Sequence, residues 1–168
     1  MKTYRVFLGL GSNLGERHVL LNRAVSEVKL IPSTRVVWGS SVYETTPYGN
    51  PDQPLYLNAA LEVETGLLPG ELLSALKAIE SKLGRTKEER WAPREIDLDI
   101  LLYDGLVVKE PEVSVPHPEL EKRRFVLVPL QELDPDVVHP VNGMTARELA
   151  AACRDTGKVV KTQYRIQW

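Results

Sequence analysis

Only one cysteine, Cys153, occurs in 168 residues, which excludes an internal disulfide and a cysteine metal cluster. No apolar run approaches the roughly 20 residues that a bilayer-spanning helix needs. Charge of either sign is not in excess: 21 Lys and Arg against 23 Asp and Glu leave a formal net charge of −2. General nucleic-acid binding rests on neutralising phosphates with a basic surface, so this balance argues against it. There is no signal-peptide pattern, because strand-like YRVFLGLG leads straight into a polar loop, and a reducing cytoplasm is the expected compartment. Internal repeats, low-complexity tracts and linkers are also missing. With 43% hydrophobic and 26% charged residues, the expectation is one domain over 1–168 with a sizeable core.

Periodicity along the chain supplies the elements. Tyr4 to Leu10 alternates as a strand and breaks at Gly11-Ser12-Asn13, a turn composition. Val19, Leu20, Ala24, Val25 and Val28 recur at the helical period, and Pro32 closes that segment. Arg35 to Thr45 and Leu57 to Thr65 read as strands on either side of a Pro- and Gly-rich loop. Pro69 suits a first helical turn, with Leu72, Leu73, Leu76, Ile79 and Leu83 forming the apolar stripe of a helix that ends at Gly84. Glu95 to Tyr103 and Leu106 to Lys109 flank Asp104-Gly105, the composition of a tight hairpin. A short helix around Val128 to Glu132, a helix from Thr145 to Cys153 and a last edge strand in KVVKTQYRIQW complete the reading. The predicted fold is α+β, with a ferredoxin-like β-α-β-β-α-β core, an added hairpin strand and C-terminal helices.

The segment from Arg85 to Leu102 carries the chemistry. Strand alternation puts Asp97 and Asp99 on one face and Ile96, Leu98 and Ile100 on the other. An isolated Asp-x-Asp usually meets solvent, but Asp is disfavoured in strands, and this pair sits in an Ile- and Leu-rich run expected to be central and buried. Buried carboxylates need a counter-charge or a metal, and magnesium binds to one or two carboxylates plus substrate phosphates. Upstream, Arg85, Lys87, Arg90 and Arg94 form a loop suited to gripping phosphates, and Trp91 is a large aromatic that loop composition does not explain. Gly9 to Gly15 follows neither the dinucleotide nor the P-loop spacing, so a turn lining a pocket is expected there. Tyr56 and Asn58 share a strand face, an aromatic platform beside an amide. His117 stands between two prolines as a turn residue or a phosphate contact, whereas His18 and His139 lack a partner at metal-ligand spacing and read as structural.

Five segments taken together, GLGSNLG from Gly9, YETTPYG from Tyr43, DQPLYLNAA from Asp52, ERWAPREIDLDILL from Glu89 and VPHPELEKRRFVLVPL from Val115, resemble the 6-hydroxymethyl-7,8-dihydropterin pyrophosphokinases of the folate pathway. The resemblance implies transfer of the β,γ-diphosphate of ATP to the pterin's hydroxymethyl oxygen, with AMP as the second product. It implies that Asp97 and Asp99 hold two Mg2+ ions and, with Arg85 and Arg94, form the catalytic set. ATP would be bound by Arg85, Lys87, Trp91, Arg94, Ser114, His117 and Arg123, with backbone groups of Ile100 meeting the adenine. The pterin would lie between Tyr56 and Phe125, its amide edge on Asn58, with Thr45, Thr46, Tyr48, Trp91 and Asp97 around it. A monomer acting on small molecules, with no nucleic acid or membrane partner, is expected. The sequence departs from the family pattern at Thr86, Glu112, Pro118, Thr46 and Tyr48 and in a basic loop one residue shorter. Two other classes stay open on the residues alone: a metal-dependent phosphoesterase, which explains the carboxylates but leaves Tyr56, Asn58 and Phe125 idle, and a single-stranded RNA module, which the acidic balance disfavours.

Overall fold

In the computed structural model, which describes residues 2–48, 52–84 and 96–168, the alternating segments assemble into one antiparallel sheet. Its strands are β1 (Tyr4–Ser12), β2 (Thr34–Gly39), β3 (Ser41–Thr45), β4 (Tyr56–Thr65), β5 (Asp97–Tyr103) and, after a two-stranded ribbon of β6 (Val108–Lys109) and β7 (Ser114–Val115), β8 (Val159–Arg165). The order across the sheet is β5-β1-β4-β3-β8, with β2 also on β4. Helices α1 (Arg17–Val28) and α2 (Pro69–Lys82) follow β1 and β4, giving the ferredoxin-like crossovers. Two further helices, α3 (Arg124–Leu133) and α4 (Ala146–Ala152), come late in the chain.

Strand alternation sorts the core into two layers. Val6, Leu8 and Leu10 of β1 pack with Leu21 and Val25 of α1 and Leu72 and Leu76 of α2. Phe7, turned the other way, packs with Ala60, Leu101 and the α3 and α4 residues Leu127, Leu130 and Leu149. On that second face the row continues past Phe7 to Gly9 and Gly11, past Ala60 to Asn58, and past Leu101 to Asp99 and Asp97. The helices cover the apolar end of this face, and the polar end stays open.

Several expectations change. The segment from Arg35 to Thr45 is two strands, split at Ser40. There the Ser40 amide donates to the Ala60 carbonyl (2.9 Å), and the Ser40 Oγ accepts the Ala60 amide (2.8 Å). The Asp104-Gly105 turn forms, with the Leu106 amide donating to the Tyr103 carbonyl, but β5 and β6 do not pair, and β6 pairs with β7 instead. Only Asp104 of the two turn residues has a positive φ (52°), so the turn lacks the two left-handed residues that align hairpin arms. Strand β5 is therefore not a hairpin arm, and it lies at the sheet edge rather than in the centre. Its outer edge is still satisfied: the Leu98 amide donates to Glu80 Oε2 of α2 (3.0 Å), and the Leu101 carbonyl accepts the His117 amide (2.9 Å). Gly9 and Gly11 stand inside β1 rather than in a turn, and the left-handed glycine of that region is Gly15, with φ 65°. Helix α3 starts four residues before Val128 and runs through Pro129. The C-terminal edge strand and the helix from Thr145 are as expected, with Thr145 capping α4 through its Oγ1. Among the described residues no helix is long and apolar enough to cross a membrane.

Candidate active site

The open end of the second face is a cavity of about 240 Å³. Its floor follows from the register: Gly11 of β1 lies opposite Asn58 of β4 on one side and Asp97 of β5 on the other, and Gly9 lies opposite Ala60 and Asp99. With strands about 4.8 Å apart, the Asp97 and Asn58 backbones stand roughly 10 Å apart across a floor without side chains. The missing side chains matter sterically. A Cβ on Gly11 would come within 2.7 Å of Asn58 Nδ2.

The Asn58 amide is buried and oriented. Its Oδ1 accepts the Thr45 hydroxyl (2.6 Å), while its Nδ2 donates to the Leu10 carbonyl (3.4 Å). Tyr56 is two residues along on the same face. Phe125 comes from α3 and Tyr48 from the segment after β3; their rings lie 6.4 Å apart, tilted by 54°, with the Arg123 guanidinium 5.5 Å from the Tyr48 ring and 5.9 Å from the Phe125 ring. Arg123 Nε is buried without a hydrogen-bond partner among the described residues, a donor that a bound anion or acceptor would satisfy.

Asp97 and Asp99 are half-buried on the remaining wall, and Leu98 between them is fully buried in the first core layer. Beside Asp99 is His117, held by its backbone on Leu101 and by its Nδ1, which accepts the Glu119 amide (3.0 Å). Burial pushes the His117 ring below the usual histidine range, opposed by Asp99 and Glu119 and reinforced by Arg123. A neutral ring accepting at Nδ1 carries its proton on Nε2, a donor for a phosphate oxygen.

Thr45, Thr46, Tyr48, Tyr56, Asn58, Asp97, Asp99, Arg123 and Phe125 thus line one cavity. Ile100 turns its side chain into the core, so any ligand contact falls to its backbone, and Ser114 is exposed on β7. Arg85, Lys87, Trp91 and Arg94 lie outside the described residues. Leu10, Gln53, Ala59, Leu101 and Val126 also line it without having been expected there, whereas Gly9 and Gly11, expected in a turn lining a pocket, line it from within β1. Gln53 lies within the segment DQPLYLNAA, as its second residue, and its Oε1 accepts from Asn13 Nδ2 (3.3 Å). His18 stacks on Tyr164 with centroids 4.5 Å apart, and His139 Nδ1 accepts two backbone amides, so both sit away from the cavity in packing roles.

Among the described residues no group of three or more His, Cys, Asp or Glu could hold a metal. A cation here would have at most the two aspartates from these residues, completing its shell with substrate and water oxygens. That is the donor set magnesium favours.

Sheet order and cavity define a ferredoxin-like α+β protein with a small-molecule site walled by carboxylates, an amide and aromatic rings. The comparisons with known proteins narrow the class. Residues 7–135 match the family model described as 7,8-dihydro-6-hydroxymethylpterin-pyrophosphokinase (HPPK), and the chain belongs to that family. The chain is 44% identical over 153 residues to the 2-amino-4-hydroxy-6-hydroxymethyldihydropteridine pyrophosphokinase of Methylorubrum extorquens, covering 91% of this chain and 96% of the relative. With the Bacillus subtilis protein of the same name it shares 45% identity over 127 residues, 76% of each chain. The solved Plasmodium falciparum HPPK-DHPS wild type superposes with a TM-score of 0.70 over 89% of this chain at 16% identity, a likeness of fold. The chain spans 44% of that longer protein.

Proposed function

We propose that the cavity is the active site of a single pyrophosphokinase domain comprising the whole chain. The chain is an ATP-dependent diphosphotransferase of tetrahydrofolate biosynthesis. It moves the β,γ-diphosphate of ATP to the hydroxymethyl oxygen of 6-hydroxymethyl-7,8-dihydropterin, giving the pterin diphosphate and AMP. The observation that carries the site assignment is the cross-strand row Asp97, Gly11, Asn58: a carboxylate and a fixed amide facing each other over a floor flat enough for a bicyclic ring.

In this reading the pterin lies over Gly11 between Tyr56 and Phe125, and Asn58, locked by Thr45 and Leu10, reads its amide edge. The hydroxymethyl group then points toward Asp97 and Asp99. Its oxygen attacks the β-phosphorus, the bond from that phosphorus to the α,β-bridging oxygen breaks, AMP leaves, and the hydroxyl proton is released. Asp97 and Asp99 would hold two magnesium ions. When bound, magnesium supplies charge neutralisation on the triphosphate and a lower pKa for the attacking hydroxyl. His117 Nε2 and Arg123 donate to phosphate oxygens, and Arg85, Lys87 and Arg94 add cations from the basic segment, with Trp91 covering the site. Ser114 and the Ile100 backbone complete the ATP side. The protein acts as a cytoplasmic monomer on these two small molecules.

The test is the product. Purified protein with ATP, magnesium and hydroxymethyldihydropterin is expected to release AMP in equal amount to the pterin diphosphate. ADP or free phosphate as the main product would overturn the reading.

A further inference from the structure

The two walls of the cavity that carry Thr46 and Tyr48 on one side, and Arg123 and Phe125 on the other, are joined through a segment well outside the family-matched stretch of residues 7–135. Helix α3 begins at Arg124, and its N-cap residue, Arg123, makes no side-chain capping bond. The Arg124 amide, a first-turn donor with no partner inside the helix, instead donates to Asp155 Oδ2 (3.1 Å) from 31 residues away. A carboxylate at that position also faces the positive end of the helix. The other oxygen, Asp155 Oδ1, accepts the Gly157 amide (2.9 Å). The next residue, Lys158, is clasped to Thr46 twice: the Thr46 amide donates to the Lys158 carbonyl (3.2 Å), and the Lys158 amide donates to Thr46 Oγ1 (3.1 Å). From Lys158 the chain runs directly into β8, which pairs with β3 at Thr45–Val159.

One carboxylate therefore ties the start of α3 to the end of β3. Gly157 is part of the device, because a Cβ there would lie 2.8 Å from Thr46 Oγ1 and 3.1 Å from Asp155 Oδ1. The far end of α3 has its own anchors. Glu132 accepts from the Tyr43 hydroxyl (2.5 Å) and the Ser41 amide (2.9 Å), and Asp134 accepts from Arg5 (2.9 Å). Those bonds fix the helix to the sheet at the end remote from the cavity. At the cavity end the Asp155 link is the hydrogen-bonded tie among the described residues, acting beside the Tyr48–Phe125 and Arg123–Tyr48 ring contacts to set how far Phe125 stands from the sheet.

We propose that Asp155 is a positioning residue for the pterin slot, setting the gap between Phe125 on α3 and the Thr46–Tyr48 wall. The proposal rests on the cavity being the pterin site. Asp155→Asn keeps the size of the side chain but leaves one carbonyl oxygen for two amides, so at most one arm of the link survives. The expected result is a pterin KM raised about tenfold, the weight of one lost hydrogen bond to a charged acceptor, with the ATP KM within about twofold and AMP still the product. Gly157→Ala, which displaces Thr46 Oγ1, is expected to give the same split. Phe125→Ala serves as the reference, raising the pterin KM by direct loss of the ring. If Phe125→Ala raises the pterin KM while Asp155→Asn and Gly157→Ala leave it unchanged, whatever they do to Tm, Asp155 is merely structural and the proposal fails. The proposal fails equally if both KM values rise together. Were Phe125→Ala itself without effect on the pterin KM, the pterin-site reading would fall first and take the proposal with it.

Discussion

Replacing Gly11 with alanine tests the floor of the cavity with a single carbon atom. Gly11 has no left-handed backbone conformation, so alanine meets no φ penalty there, and the cost is one of space. The added Cβ would stand 2.7 Å from Asn58 Nδ2 and 3.6 Å from Tyr56 Cδ1, whereas ordinary contact begins near 3.4 Å. Asn58 must then retreat by 3.4 − 2.7, or 0.7 Å, against its bonds to Thr45 and Leu10. Overpacking of this kind costs about 1–3 kcal/mol, and a weakened buried hydrogen bond adds about 1 kcal/mol. The expectation is a stability loss of about 2 kcal/mol and a pterin affinity reduced roughly tenfold or more. Gly9→Ala is the internal control: its Cβ would meet the flexible end of Leu101 at 3.3 Å, so less than about 1 kcal/mol should be lost. Urea unfolding and pterin titration of both variants make the comparison. If Gly11→Ala behaved like Gly9→Ala in both assays, the argument that this floor is shaped around Asn58 would be refuted.

Burial holds His139 below its usual pKa of 6.5, with Glu121 opposing, and Nδ1 must stay unprotonated to accept the Val141 and Asn142 amides. The unfolded state therefore takes up the proton first. This contribution to stability is complete above about pH 6.5 and is lost as pH falls through the lower folded value, so denaturation free energies from about pH 7.5 to 5 should decline less steeply in His139→Gln than in the native chain. Leu76→Ala, at a site with no exposed surface in the layer beneath α2, should cost about 2–5 kcal/mol by urea unfolding, and a loss under 1 kcal/mol would contradict the packing described. Glu80→Met leaves the buried Leu98 amide without its acceptor and should cost about 1–3 kcal/mol, while Glu80→Gln, which keeps a carbonyl oxygen there, should cost less.

Much of the cavity was legible because strand alternation is a strict rule. Asp97 and Asp99 could not share a face with Leu98, and Tyr56 could not avoid sharing one with Asn58, whatever the sheet did around them. The partners across strands were not legible, since register is a tertiary property. Nothing local in GLGSNLG says that Gly11 will stand between Asn58 and Asp97, and turn composition pointed the other way. The same limit explains β5, whose apolar run reads as central. It sits at the edge because a glutamate on α2 and the backbone of His117 satisfy the outer hydrogen bonds that another strand would have taken. The start of α3 is not legible locally, because its first turn is capped by Asp155, too far along the chain for any window to connect.

In the proposed function the paired aspartates on β5 operate the diphosphate transfer. AMP formation with saturating ATP, magnesium and hydroxymethyldihydropterin, measured for Asp97→Ala and Asp99→Ala enzymes of native fold by circular dichroism, tests it most directly. Turnover reduced roughly a thousandfold or more is expected in each. Near-normal AMP release from either enzyme would contradict it.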